Sequence, residues 1–143
     1  MSNTPPGTVA HAPIDVQWVG ALAFEACRPG GPAVRIDGDA RTAPSPFDLL
    51  LSAIATCSAV DVVTILEKQR TPAQALRIRV EAHRVESIPR RLAAAVLHFD
   101  IRAPGTTIEK ATRAVELSVT KYCSVRSSLI ADATVSWTVR LDG

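Results

Sequence analysis

Hydrophobic residues recur at every second position in several stretches of this chain. Ile14, Val16 and Trp18, continued beyond Gly20 by Leu22 and Phe24, have the period of one half-buried strand. The run Arg28-Pro29-Gly30-Gly31-Pro32 predicts a reversal, after which Val34 to Asp37 pairs back as a hairpin. Leu76, Ile78, Val80 and Ala82 alternate with Arg77, Arg79, Glu81 and His83. Beyond an Ile88-Pro89 turn, Leu97, Phe99 and Ile101 alternate with His98, Asp100 and Arg102, so these two runs predict a β-hairpin with one wet and one buried face. Val135, Trp137, Val139 and Leu141, interleaved with Thr134, Ser136, Thr138 and Arg140, predict a final strand.

Two segments carry helical signals instead. Ser45-Pro46-Phe47-Asp48 reads as a helix start, with Ser45 as cap, Pro46 at the first helical position and Asp48 completing a capping box. The following residues, to about Lys68, are apolar on nearly every face, the mark of a helix surrounded by protein. Pro104-Gly105 ends the preceding strand, and Thr106 with Glu109 offers a second capping box. Ile108, Ala111, Val115, Val119 and Tyr122 then fall on one helical face, Cys123 ends that helix, and Ser124 to Ile130 has room for another turn or two. Residues 1–13, with three prolines and no periodicity, read as a flexible tail. The order strand, strand, long helix, strand, strand, helix, strand predicts a single α+β domain over residues 14–143, with antiparallel sheets packed on helices.

Composition narrows the function. The chain has 143 residues, 47% hydrophobic and 21% charged, which suits one globular domain. Only 4% are aromatic, so Val, Leu, Ile and Ala must fill the core, and the apolar surface left over predicts a homodimer. A net charge of +2 from 16 basic and 14 acidic residues, with no basic run, argues against nucleic acid. Leu49 to Leu66 is interrupted by Ser52, Thr56, Ser58, Asp61 and Thr64, and so reads as a buried helix rather than a membrane span. The first residues lack the basic start and apolar segment of a signal peptide, and a cytoplasmic setting is the expectation. Three cysteines, Cys27, Cys57 and Cys123, are too few and too widely spaced for a disulfide framework or a zinc site. His11, His83 and His98 fall on the tail and on polar strand faces, so neither a metal nor a cofactor is expected.

The stretch Pro46-Phe47-Asp48-Leu49-Leu50-Leu51-Ser52-Ala53-Ile54-Ala55-Thr56-Cys57-Ser58-Ala59-Val60-Asp61-Val62-Val63 resembles the central helix of the OsmC and organic hydroperoxide resistance family. Lys121-Tyr122-Cys123-Ser124-Val125, followed by Leu129, resembles that family's second cysteine motif at the matching distance. The resemblance, which extends from Ile14 onward, implies a swapped homodimer whose antiparallel sheets wrap two long central helices, with active sites at the subunit interface. It also implies thiol peroxidase activity in oxidative stress defence, with Cys57 attacking an organic hydroperoxide and becoming a sulfenic acid. Cys123 would then condense with it to a disulfide, and a dithiol reductant such as a lipoyl group would restore both thiols.

The nucleophile in such chemistry is the thiolate, and apolar surroundings disfavour it, so a cation is needed. Cys57 lies too deep in its helix for the macrodipole to serve. Arg35 stands about where one family branch places its catalytic arginine, with Arg28, Arg41 and Arg126 as alternatives. The family's glutamate directly after the proline, which holds that arginine, is Phe47 here. The carboxylate comes one residue later as Asp48, turned about 100° around the helix. Asp61, a carboxylate in a very apolar helix, calls for an arginine partner and resembles the Asp-Val of a less characterised branch. Cys27 has no matching role. A second reading keeps the fold as a non-catalytic dimer that binds a hydrophobic small molecule. Phe47, and Ser124 where the family commonly has proline, favour it.

Overall fold

A computed structural model describes residues 4–142. They divide into two compact units, one up to Leu49 and one from Leu50.

The first unit holds three antiparallel strands in the order β1 (Asp15–Gly20), β2 (Ala23–Cys27), β3 (Val34–Asp37). The single strand expected from Ile14 to Phe24 is thus two strands. Gly20 and Ala21 take positive φ angles of 118° and 46°, and the Trp18 indole N–H donates to the Ala21 carbonyl at 2.9 Å. Trp18 pairs with Phe24 across this turn, so the reversal preserves the even-numbered alternation and leaves no break in the sequence pattern.

The loop after β3 is organised by one side chain. The Asp37 carboxylate accepts from the amides of Asp39 (3.0 Å), Arg41 (3.2 Å) and Thr42 (3.0 Å), and from the Thr42 hydroxyl at 3.0 Å. These donors, the Asp39 amide foremost and then Thr42, hold its carboxyl down at about 2, against a smaller opposing effect of burial. The capping box at the next helix forms reciprocally. The Asp48 amide donates to Ser45 Oγ at 3.1 Å, and the Ser45 amide donates to Asp48 Oδ2 at 2.9 Å.

That helix, α1 (Pro46–Lys68), has 23 residues and by length and composition alone would span a bilayer. Its buried positions Ile54, Ser58, Val62 and Leu66 recur every four residues, the spacing of one face packed on protein. Val60 and Val63 are 65% and 41% exposed. Within one chain, therefore, the helix is covered on one face and not all round.

In the second unit β4 (Ala75–Arg84) pairs antiparallel with β5 (Leu92–Arg102), and β6 (Thr134–Asp142) pairs parallel with β5. The antiparallel expectation fails for this last strand. Alternation fixes which face is buried but not strand direction, and here a helical crossover carries the chain back to the starting end of β5. Register lines up Ile78, Phe99 and Val139, and beside them Val80, Leu97 and Trp137. Leu97, Phe99 and Ile101 are buried, as are Val115 and Val119 from the crossover and Ile54, Val62 and Leu66 from α1. The opposite sheet face is polar, with Asp100 paired to Arg140 at 2.9 Å and His98 bonded to Thr138 at 2.7 Å.

The crossover opens with α2 (Ile108–Leu117), capped by Thr107, whose hydroxyl accepts from the Lys110 amide at 3.2 Å. The expected cap, Thr106, lies one residue too early. Its hydroxyl is buried and has no partner among the described residues.

Candidate functional site

The helical crossover does not run straight to Cys123. After α2 it widens into a π-helical turn, Ser118–Tyr122, a feature that recurs at functional sites. Cys123 then leaves the helix with φ −73° and ψ 98°, and its Sγ accepts from the Arg126 amide at 3.3 Å, capping the single turn α3 (Ser124–Ser127). The sulfur is turned inward: Cys123 is 1% exposed, and its thiol points to the Ile54 carbonyl of α1 at 3.9 Å. Ser58, fully buried, donates to the same carbonyl at 3.1 Å.

Ser58 and Cys57 both lie near enough to Cys123 Sγ to act on its thiol. Two cysteines 66 residues apart in sequence are thus neighbours in the fold. They differ in access, since Cys57 is half-buried while Cys123 is enclosed. Burial pushes the Cys123 thiol above its usual range, the Arg126 amide and the Ser58 hydroxyl pull it back, and Cys57 adds to the upward push.

The other residues singled out from sequence fall elsewhere. Arg35 pairs with Glu25 directly across β2 and β3 at 3.2 Å, both side chains being substantially exposed. Asp48 sits in its capping box. These residues, with Arg28 and Arg41, belong to the first unit. Arg126 meets the site through its backbone amide, while its guanidinium donates to the Thr120 carbonyl at 3.4 Å. Within the second unit no guanidinium of the described residues bonds to Cys57.

Asp61 lacks the arginine expected for it. Among the described residues its carboxylate has no ion-pair partner, and it lines a groove of about 310 Å³ with Thr64, Ile65, Lys68 and Tyr122. Asp61 lies one turn beyond Cys57 and Tyr122 immediately precedes Cys123 in sequence, while neither cysteine lines the groove itself. Cys27 is half-buried at the end of β2. Among the described residues no group of three or more His, Cys, Asp or Glu is arranged to hold a metal ion.

Sequence reasoning overlooked Ser58 and the Arg126 amide. Ser58 is a polar residue beside a cysteine in an apolar helix, and in the sequence it reads only as an interruption of hydrophobicity.

Residues 37–138 match the family model for OsmC-like protein. The chain belongs to the OsmC-like family. Protein YhfA of Escherichia coli K12 is 37% identical over 111 residues, 77% of this chain and 83% of that protein. An OsmC-like protein from Mycoplasma pneumoniae superposes with a TM-score of 0.80 at 16% identity, over 95% of this chain and all of that one. The organic hydroperoxide resistance protein OhrB of Bacillus subtilis gives 0.60 at 15% identity, over 92% and 98% of the two chains. At these low identities the two structures speak for a shared OsmC-like fold.

Proposed function

We propose that this protein reduces organic hydroperoxides through a two-cysteine cycle, and the contact between a half-buried Cys57 and an enclosed Cys123 carries that reading. The Cys57 thiolate attacks the terminal peroxide oxygen, the O–O bond breaks, and the departing alkoxide takes a proton to leave as alcohol. Cys57 is left as a sulfenic acid. The Cys123 sulfur attacks the sulfenic sulfur, its thiol proton joins the departing hydroxide as water, and a Cys57–Cys123 disulfide forms. A dithiol of the dihydrolipoyl class returns both thiols and is itself oxidised to the disulfide, a cycle suited to a reducing cytoplasm. The groove of Asp61, Ile65 and Tyr122 offers a partly apolar approach for the organic part of the peroxide. A cation for Cys57 is still required by this reading, and Arg35, the arginine expected for that role, pairs with Glu25 within its own unit.

Family members are typically homodimers, and a second copy explains the uncovered apolar side chains. Val16, Trp18 and Val60 are 63%, 64% and 65% exposed in one chain. Two copies, exchanging elements, supply the pair of long central helices of which each chain has one. The name of the Bacillus subtilis relative agrees with a role in peroxide defence.

An anaerobic assay with cumene hydroperoxide and dihydrolipoamide tests the cycle. Cys57→Ser abolishes turnover, whereas Cys123→Ser still consumes a first equivalent of peroxide and then stalls or over-oxidises. Equal loss of that first equivalent in both variants overturns the assigned roles. The alternative, a non-catalytic dimer holding a hydrophobic small molecule, is favoured by the lack of a guanidinium on Cys57 within its own unit. It requires slow peroxide loss that Cys57→Ser leaves unaltered.

A further inference from the structure

We propose that the reductant attacks Cys57 Sγ alone, and that Ser58 and the Arg126 amide act as an anion cradle that makes Cys123 the leaving thiolate. This rests on the redox cycle above and assigns the direction of its last half.

Thiol–disulfide exchange has two possible outcomes for an attacking thiolate, and two factors choose between them: access to the sulfur attacked and stabilisation of the sulfur expelled. Access favours attack at Cys57, and the donors at Cys123 work against the burial that disfavours its thiolate. Cys123 is 1% exposed, which shields its sulfur from an external thiol, while Cys57 is half-buried. The sulfur that departs from Cys57 emerges where the Arg126 N–H already points at it from 3.3 Å. The Ser58 hydroxyl is the second donor. It has one proton, bonded at 3.1 Å to the Ile54 carbonyl while Cys123 is a thiol, and rotation about its C–O bond turns that proton onto the neighbouring sulfur when it becomes anionic. Hydrogen bonds to a charged acceptor are about twice as strong as neutral ones, so the exchange of partners favours the thiolate.

The step balances as follows. The reductant thiolate forms an S–S bond to Cys57, the Cys57–Cys123 bond breaks, and its electron pair leaves on Cys123. The second thiol of the reductant then attacks its own sulfur in the mixed disulfide. Cys57 is released as thiolate and the reductant departs oxidised.

The disulfide is best made with diamide, which needs no peroxidase activity. Oxidised full-length protein is mixed with isotopically labelled 2-mercaptoethanol, quenched in acid and mapped by peptide mass. The expected adduct sits on Cys57, in at least about tenfold excess over Cys123. In the Ser58→Ala variant the ratio of the reductive to the oxidative rate constant falls about five- to tenfold, because the leaving thiolate has lost one donor. Labelling at Cys123, or equal slowing of both half-reactions in Ser58→Ala, overturns the inference and leaves the peroxidase reading standing. Failure of diamide to form the disulfide at all overturns both.

Discussion

The two units of this chain are held together by different physics. Every buried apolar residue among those described lies from Ile54 onward, with Leu97, Phe99, Ile101, Val115 and Val119 at 0–1% exposure. Among the described residues of the first unit the one that is buried is Asp37, a carboxylate, while Val16, Trp18 and Val34 are more than half exposed. Both units have strands of the same period-two pattern, yet only one of them buries a face. The second unit is organised by removal of apolar surface from water, and the first by backbone pairing and a polar loop anchor. In one chain the apolar positions of the first unit stay open to solvent.

The largest effect that sharpens this contrast is in the second unit. Phe99→Ala removes a fully buried ring and costs about 3–5 kcal/mol of unfolding free energy, a large share of a typical domain's stability. Chemical denaturation measures it. Trp18→Ala, 64% exposed in one chain, changes the stability of an isolated chain by less than about 0.5 kcal/mol. If a second copy covers it, the same change weakens the dimer about tenfold or more, or roughly 1.4 kcal/mol, and makes the melting temperature more concentration-dependent. Sedimentation reads this directly, and a dimer constant indifferent to Trp18→Ala would break the assignment of a partner to the first sheet.

The same contrast decides what could be read from sequence. β4 and β5 were legible because their alternation survives into a sheet with one buried face, Leu76, Ile78 and Val80 opposite Ile101, Phe99 and Leu97. The Ser45 box was legible because a cap, a proline and an acid three residues on leave few alternatives. The turn at Gly20 was not, since it returns the chain with its parity unchanged. Nor was the parallel β6, whose direction is set by the length of its crossover. The meeting of Cys57 and Cys123 came from family resemblance and not from their spacing. The π-helical turn that precedes Cys123 has no composition signature, and the role of Ser58 exists only once that sulfur docks beside it.

An intermediate effect probes the anchor of the first unit. Folding lowers the Asp37 carboxyl from an ordinary value of 3.8 to about 2. A depressed carboxyl stabilises the fold fully above its unfolded pKa, and that contribution disappears as pH falls from about 4 through 2. Asp37→Asn therefore lowers the melting temperature by a few degrees at neutral pH, with faster amide exchange at Asp39 and Thr42. Below pH about 2 the gap to wild type closes. A gap that stays constant down to pH 2 would show that the negative charge is not what orders this loop.

The smallest effect tests whether a buried polar group means the same thing in the second unit. Thr107 caps α2 and Thr106 does not, its hydroxyl being buried without a partner among the described residues. Thr107→Ala then costs about 1 kcal/mol, the usual range for a lost cap. Thr106→Val, nearly isosteric, replaces an unsatisfied hydroxyl by a methyl group and is neutral or stabilising by up to about 1 kcal/mol. Denaturant midpoints for the two variants should move in opposite directions, or only the first should move. A destabilising Thr106→Val beside a neutral Thr107→Ala would shift the helix start by one residue and restore the box with Glu109. Removing a polar group thus helps or does no harm where it is buried without a partner, while at Thr107 and at Asp37, where donors meet an acceptor, the same operation loosens the structure.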